Sequence, residues 1–188
     1  DTGRLSFLIY TMSVMKTIRL IAFISMDGCW LHPGPVTIPY MKHFRILEHY
    51  RNSDYLLTSD IDYAEIFQRN GYWPFRQTHT YVLASSYTNV TPEAPVTFIT
   101  DNQVTAIKRI KQKGEGLISV LLSGINSDIV NFLLSNDLMD EMQLITLPFN
   151  QKKGLCLLDR CLTDKWNITR KPLHTTGMTE MHYAFRKN

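Results

Sequence analysis

Residues 119–138 read SVLLSGINSDIVNFLLSNDL. An apolar run (Val120, Leu121, Leu122) enters a small-residue turn, Ser123-Gly124-Ile125-Asn126, and a helical pattern follows. Asn126 or Ser127 can cap that helix and Asn136 can close it. Strand, tight turn and helix in this order can present backbone N–H groups to a phosphate. The turn holds one glycine, with a branched residue after it. It is either a weakened phosphate cradle or a plain strand-to-helix connection.

The same alternation extends outward in both directions. Residues 17–26 (TIRLIAFISM) are β-branched and apolar and stop at Asp27-Gly28, which reads as a buried strand ending in a turn. The proline-rich CWLHPGPVTIPY that follows reads as a loop. Residues 41–53 place Met41, Phe44, Ile46, Leu47 and Tyr50 on one helical face. A short strand (YLLTS), a short helix stopped by Gly71, an aromatic turn (YWPF) and a strand (THTYVLASS) come next. PVTFIT reads as a strand, and the segment from Asp101 as a helix capped by Asp101 or Asn102. DEMQLITLPF is a strand, and two further strands are expected around 166–169 and 178–185. Helices alternate with strands up to residue 135, and strands alone close the chain. That order predicts a three-layer α/β (αβα) domain, its sheet mostly parallel with an antiparallel C-terminal edge.

With 188 residues, 44% of them hydrophobic and 20% charged, the chain suits one sizeable core. Residues 17–188 are assigned to it and 1–16 to an N-terminal extension, whose apolar LSFLIY is too short to span a membrane. The net charge of +3 comes without a basic stripe. IKRIKQK has apolar residues at helical spacing and reads as a solvated helix face, so nucleic acid is not an expected partner. Cys29, Cys156 and Cys161 lack zinc-ligand spacing, no metal is expected, and an odd count points to reduced thiols in a cytoplasm. Cys156 and Cys161 can meet, although unpaired core thiols are the simpler state. Leu155, Leu157, Leu158, Trp166, Met178, Met181, Tyr183 and Phe185 exceed what one short sheet edge buries, which predicts a homodimer.

Four stretches in register carry a likeness: IAFISMDG, YWPF with TYVLASS, VLLSGINSDIVNFLLSNDLMDEMQLITLP, and the closing GMTEMHYAF. Together they resemble the dihydrofolate reductase-like family, in particular reductases similar to the C-terminal domain of the bifunctional riboflavin-biosynthesis deaminase–reductase. The likeness covers residues 17–187. It implies an NADPH- or NADH-dependent reductase acting on a small pterin-like or pyrimidine-like heterocycle. The alternative is a non-catalytic ligand-binding or scaffold protein that keeps the fold with altered cofactor loops.

The resemblance also implies site residues. Ser123, Gly124, Ile125 and Asn126 stand at the pyrophosphate turn, with Ile125 where a small residue is usual. Ser59, Asp60 and Asp62 stand where the family carries a Gly-Arg-x-Thr type of loop, so a carboxylate replaces the cation that meets a ribose 2′-phosphate. NADPH binding should weaken, while an Asp can accept from a free ribose hydroxyl. Asp60 or Asp62 can also simply cap the helix that follows. Ser85 and Ser86 stand on the adenosine side. Asp27, at the end of the first strand, is the candidate catalytic acid, or else a turn former. Trp30 and His32 are candidate substrate contacts, although Trp30 can equally cover the core. Lys152 and Lys153 replace a glycine-rich stretch near the substrate mouth. Asp140-Glu141 reads as a structural turn, and Trp73-Pro74-Phe75 as a core, lid or subunit contact.

Overall fold

The computed structural model describes residues 14–85, 95–123, 128–152, 156, 164–173 and 178–186. In chain order the elements are β1 (Thr17–Ile24), β2 (Trp30–Leu31), α1 (Ile38–His43), α2 (Ile46–Arg51), β3 (Tyr55–Ser59), α3 (Asp60–Asn70), β4 (His79–Leu83) and β5 (Val96–Ile99). Then follow α4 (Gln103–Gln112), β6 (Leu117–Val120), α5 (Asp128–Ser135), β7 (Glu141–Thr146), β8 (Trp166–Pro172) and β9 (Thr179–Phe185).

The apolar run of β1 is continuous because this strand is covered on both faces and paired on both edges. It hydrogen-bonds in parallel to β6 and to β7. With a side-chain period of two, Ile18, Leu20, Ala22 and Ile24 enter one core with Ile107 of α4 and Ile129, Val130 and Leu133 of α5. Ile21 and Phe23 enter the opposite core with Ile46 and Tyr50 of α2 and Tyr63 and Ile66 of α3. Each such side chain contributes roughly 1.5–3 kcal/mol on leaving water. The nine described strands form one sheet in the order β5-β4-β3-β6-β1-β7-β9-β8, with β2 on β1. β1 and β3 to β7 run parallel, and β8 and β9 close the sheet antiparallel. The predicted three-layer architecture is therefore the observed one.

Local departures have local causes. The single helix expected over 41–53 is two helices, broken at Arg45 in the left-handed region (φ 52°). The break lets Phe44 pack on Phe23, with ring centroids 5.9 Å apart, while Ile46 and Tyr50 enter the core. Leu47, assigned to the buried face, is exposed instead. The expected loop after β1 contains β2 and the start of α1. Asn102 precedes α4 with φ 49° and makes no side-chain cap, because a left-handed residue at that place turns its side chain away from the free N–H groups. Gly71 closes α3 at φ 73°, as its position suggested. Trp73 and Phe75 are core residues: the Trp73 ring lies tilted against Tyr63 and edge-on to Phe75, with centroids 4.7 and 5.5 Å away.

Lys16, the last residue of the expected extension, packs against the end of α4. It is buried, and its ammonium donates to the carbonyls of Ile110 and Lys113. At the other end, Trp166 and Tyr183 are buried in the core on the Ile18 face of β1 with Met181 and Phe185 packed against them, and Met178 is buried in the opposite core. Ile168, on the outer strand β8, is exposed. Leu155, Leu157 and Leu158 lie outside the described residues. Among the described residues, no helix is long and apolar enough to cross a membrane.

The structural turn expected at Asp140-Glu141 falls at Asn136-Asp137; Glu141 opens β7, and Asp140 between them has a structural role of another kind. Its carboxylate meets the buried Lys111 ammonium of α4 at 2.6 Å and accepts from the Ile18 N–H at 2.8 Å. Lys111 also donates to the Leu138 carbonyl at 3.2 Å. Removing one member of such a pair strands the other charge. Asp140→Ala is expected to lower unfolding free energy by about 3–5 kcal/mol in urea titration. A loss below about 1 kcal/mol would show that Lys111 finds water instead.

Candidate functional site

The parallel strands end together at one edge of the sheet, where open α/β folds place ligands. Ser59 ends β3 and is also the N-cap of α3. Its Oγ accepts from the Asp62 N–H at 3.0 Å and donates to Asp62 Oδ2 at 2.5 Å. The cap is therefore Ser59, with the Asp62 carboxylate in the first turn accepting from its hydroxyl; neither Asp60 nor Asp62 occupies the cap position. Asp62 is 1% exposed, and its other oxygen, Oδ1, accepts from the Ser123 backbone N–H at 3.0 Å. The Ser123 hydroxyl, with one proton, faces both Asp62 Oδ1 (2.9 Å) and Glu65 Oε2 (3.0 Å). Arg69 pairs with Glu65 at 2.7 Å and reaches the Ser123 carbonyl at 3.4 Å.

Asp60 makes a parallel link. Its Oδ2 accepts from the Ser85 N–H (3.1 Å) and faces the Ser85 hydroxyl (3.2 Å), joining the start of α3 to the end of β4. Between them opens a cleft of about 320 Å³ whose walls include Asp60, Leu83, Gln103, Asp128 and Phe132. Among the described residues no lysine or arginine lines it.

These contacts test the fit of a nicotinamide dinucleotide. A pyrophosphate in the family manner needs free N–H groups at the start of α3 and at the turn after β6. The Asp62 and Ser123 N–H groups, which stand at those two places, are already taken, by a serine hydroxyl and by a carboxylate. A phosphate within about 4 Å of a carboxylate is opposed by roughly 4 kcal/mol at an effective dielectric of 20, and less where the carboxylate is exposed. The described residues do not fit a dinucleotide phosphate. Ser86, Gly124, Ile125 and Asn126 lie outside them.

The substrate-side candidates separate. Trp30 sits in β2 and is buried among Ile24 and Leu122 in the core. The space beside it is only about 20 Å³, enough for one water and no ring. His32 is exposed and lines a different cleft of about 410 Å³, with Val36 and Thr37 on its side and Phe149 and Gln151 opposite. Asp27 lies at the carboxyl end of β1, exposed, and accepts from the backbone N–H groups of Gln151 (3.1 Å) and Lys152 (2.8 Å). Those bonds, after one from the Ser25 side chain, hold its carboxyl well below the usual carboxylate range. Near neutral pH it is a loop clasp without a proton to give. Lys152 enters this arrangement through its backbone, and Lys153 lies outside the described residues.

Sequence reading missed Glu65, Arg69, Gln103 and Phe149. The Glu65–Arg69 pair has the i,i+4 spacing that could have flagged it. Nothing local marks Gln103, whose amide donates to the Ala84 and Ile99 carbonyls.

No protein-family model matches the chain, and no curated protein matches its sequence. Solved structures do match. A protein named for riboflavin biosynthesis from Shewanella sp. PV-4 superposes with a TM-score of 0.65 at 17% identity, covering 91% of this chain and 99% of that one. Dihydrofolate reductase from Enterococcus faecalis, complexed with NADP(H) and RAB-propyl, gives 0.61 at 14% identity over 91% and 97%. The diaminohydroxyphosphoribosylaminopyrimidine deaminase/5-amino-6-(5-phosphoribosylamino)uracil reductase from Thermotoga maritima gives 0.59 at 12% identity, over 92% of this chain and 57% of that one. The chain has the dihydrofolate reductase-like fold.

Proposed function

We propose that this protein is a ligand-binding member of the dihydrofolate reductase-like fold in which an internal carboxylate network replaces dinucleotide binding. The observation that carries this reading is Asp62, buried and bonded to the N–H of Ser123 and the hydroxyl of Ser59. The ligand is a small neutral or cationic heterocycle held at the carboxyl edge of the sheet. The cleft between His32 and Phe149 offers aromatic and apolar walls for it. Copies pair as a homodimer along β8, whose residues 167–172 are exposed; light scattering tests that part separately.

A second reading, favoured by the acidic cleft at Asp60 and by the reductase neighbours, is a reductase of a pterin-like or pyrimidine-like heterocycle that uses NADH. Asp60 would then accept from a free ribose hydroxyl. Fluorescence titration of the unaltered chain with NADPH and NADH separates the two. Neither cofactor should give saturable binding below millimolar concentration. Saturable NADH binding alone would favour the second reading, and tight NADPH-selective binding would overturn both.

The network itself has a stability signature. Asp62→Ala leaves the Ser123 N–H buried without an acceptor and removes the partner of Ser59. It is expected to cost about 2–3 kcal/mol in urea unfolding, whereas Asp62→Asn, which keeps an acceptor oxygen, should cost less. Equal costs for the two would show that the hydrogen bonds do not hold this edge together.

A further inference from the structure

We propose that Cys29 and Cys156 form a reversible disulfide that fastens the segment after β7 to the carboxyl end of β1. The two residues are 127 positions apart, yet their sulfurs lie 3.2 Å from each other. They also face each other as an antiparallel bridge. The Cys29 N–H goes to Ser25 Oγ and its carbonyl accepts from the Ser25 N–H. Cys29 is thus not exchanging backbone bonds with Cys156, so the two form the narrow kind of antiparallel pair. Cα atoms in such pairs are about 4.5 Å apart, inside the range a disulfide spans.

The surroundings are already in register for the bond. The Met26 N–H donates to the Phe149 carbonyl at 2.7 Å, and Asp27 takes the N–H groups of Gln151 and Lys152. Closing the sulfurs requires no large backbone movement. Cys29 is 4% exposed and Cys156 partly exposed, so an oxidant meets Cys156 first. The hydrogen bond with Cys156, burial and the Asp27 charge, in that order, push the Cys29 thiol up to about 11. Cys29 therefore waits as a thiol and acts as the resolving partner.

The chemistry balances with a peroxide as oxidant. The Cys156 sulfur attacks hydrogen peroxide, breaking the O–O bond, and becomes a sulfenic acid with release of one water. The Cys29 sulfur then attacks that sulfur, the S–O bond breaks, and the Cys29 proton leaves with the hydroxide as a second water. Each sulfur loses one electron, and the peroxide takes both. A small dithiol reverses the step by exchange. The bond would fix one wall of the cleft between His32 and Phe149.

The test uses the full chain, reduced and then treated with hydrogen peroxide near stoichiometry. Of the three cysteines, two should lose reactivity toward a thiol reagent, and the mass should fall by two hydrogens. A non-reduced peptide map should join the peptides carrying Cys29 and Cys156. The melting temperature should rise by roughly 5 °C or more over the reduced form, since the closed loop exceeds 100 residues. Cys161→Ser should leave all of this intact, while Cys156→Ser abolishes it. A Cys156–Cys161 link, sulfinic acid on Cys156 with Cys29 still free, or three unreacted thiols would each overturn the proposal. Neither reading of the cofactor site is touched by these outcomes.

Discussion

Strands in a parallel sheet end together, and the loops that leave them carry backbone N–H groups with no neighbouring strand to accept them. In this chain aspartates accept them. At the amino edge, Asp54 takes the Leu117 N–H at 2.7 Å and Asp140 takes that of Ile18 at 2.8 Å. At the carboxyl edge, Asp62 takes Ser123, Asp60 takes Ser85, and Asp27 takes Gln151 and Lys152. Each link joins a segment to one distant in sequence, and each uses a charge-assisted bond of the stronger kind. The layers are held by apolar burial, but the sheet's ends are held by carboxylates.

That constraint separates fold from function. An N–H group that binds a ligand anion must be left free in the absence of the ligand, which costs stability in the empty protein. A side-chain carboxylate removes that cost and with it the vacancy. The start of α3 retains a helix N-terminus of the kind that suits phosphate, while Asp62 supplies the negative charge from within. The same sheet and crossovers can then persist without the cofactor that such sites elsewhere accommodate.

How much of this was readable follows from the range of each interaction. The layers came from the continuous apolar run of β1 and the strand–helix alternation, both local signals. Gly71 as a helix stop was local as well. The break at Arg45 was not, because it depends on Phe44 finding Phe23 across the layer. Asp60 and Asp62 were visible as departures from a resembling pattern, but their partners lie 25 and 61 positions away. Unpaired thiols were the simpler expectation, and Cys29 and Cys156 are both free, but nothing local announces a contact between them that spans 127 positions. Trp30 suits either a substrate contact or a core cover by sequence, and β2 carries it onto β1 and into the core.

The carboxylates also bear on which chemistry the edge can support. A proton donor must keep its proton near neutral pH, which for a carboxyl means burial away from hydrogen-bond donors. Asp27 has the opposite setting, exposed and bonded to two backbone N–H groups, and its charge serves the loop. Asp60 and Asp62 are likewise committed as acceptors. His32 and Phe149 both line the 410 Å³ cleft. On the proposed reading, the described part of this edge disfavours anions, holds Asp27, Asp60 and Asp62 as acceptors, and suits flat or cationic molecules.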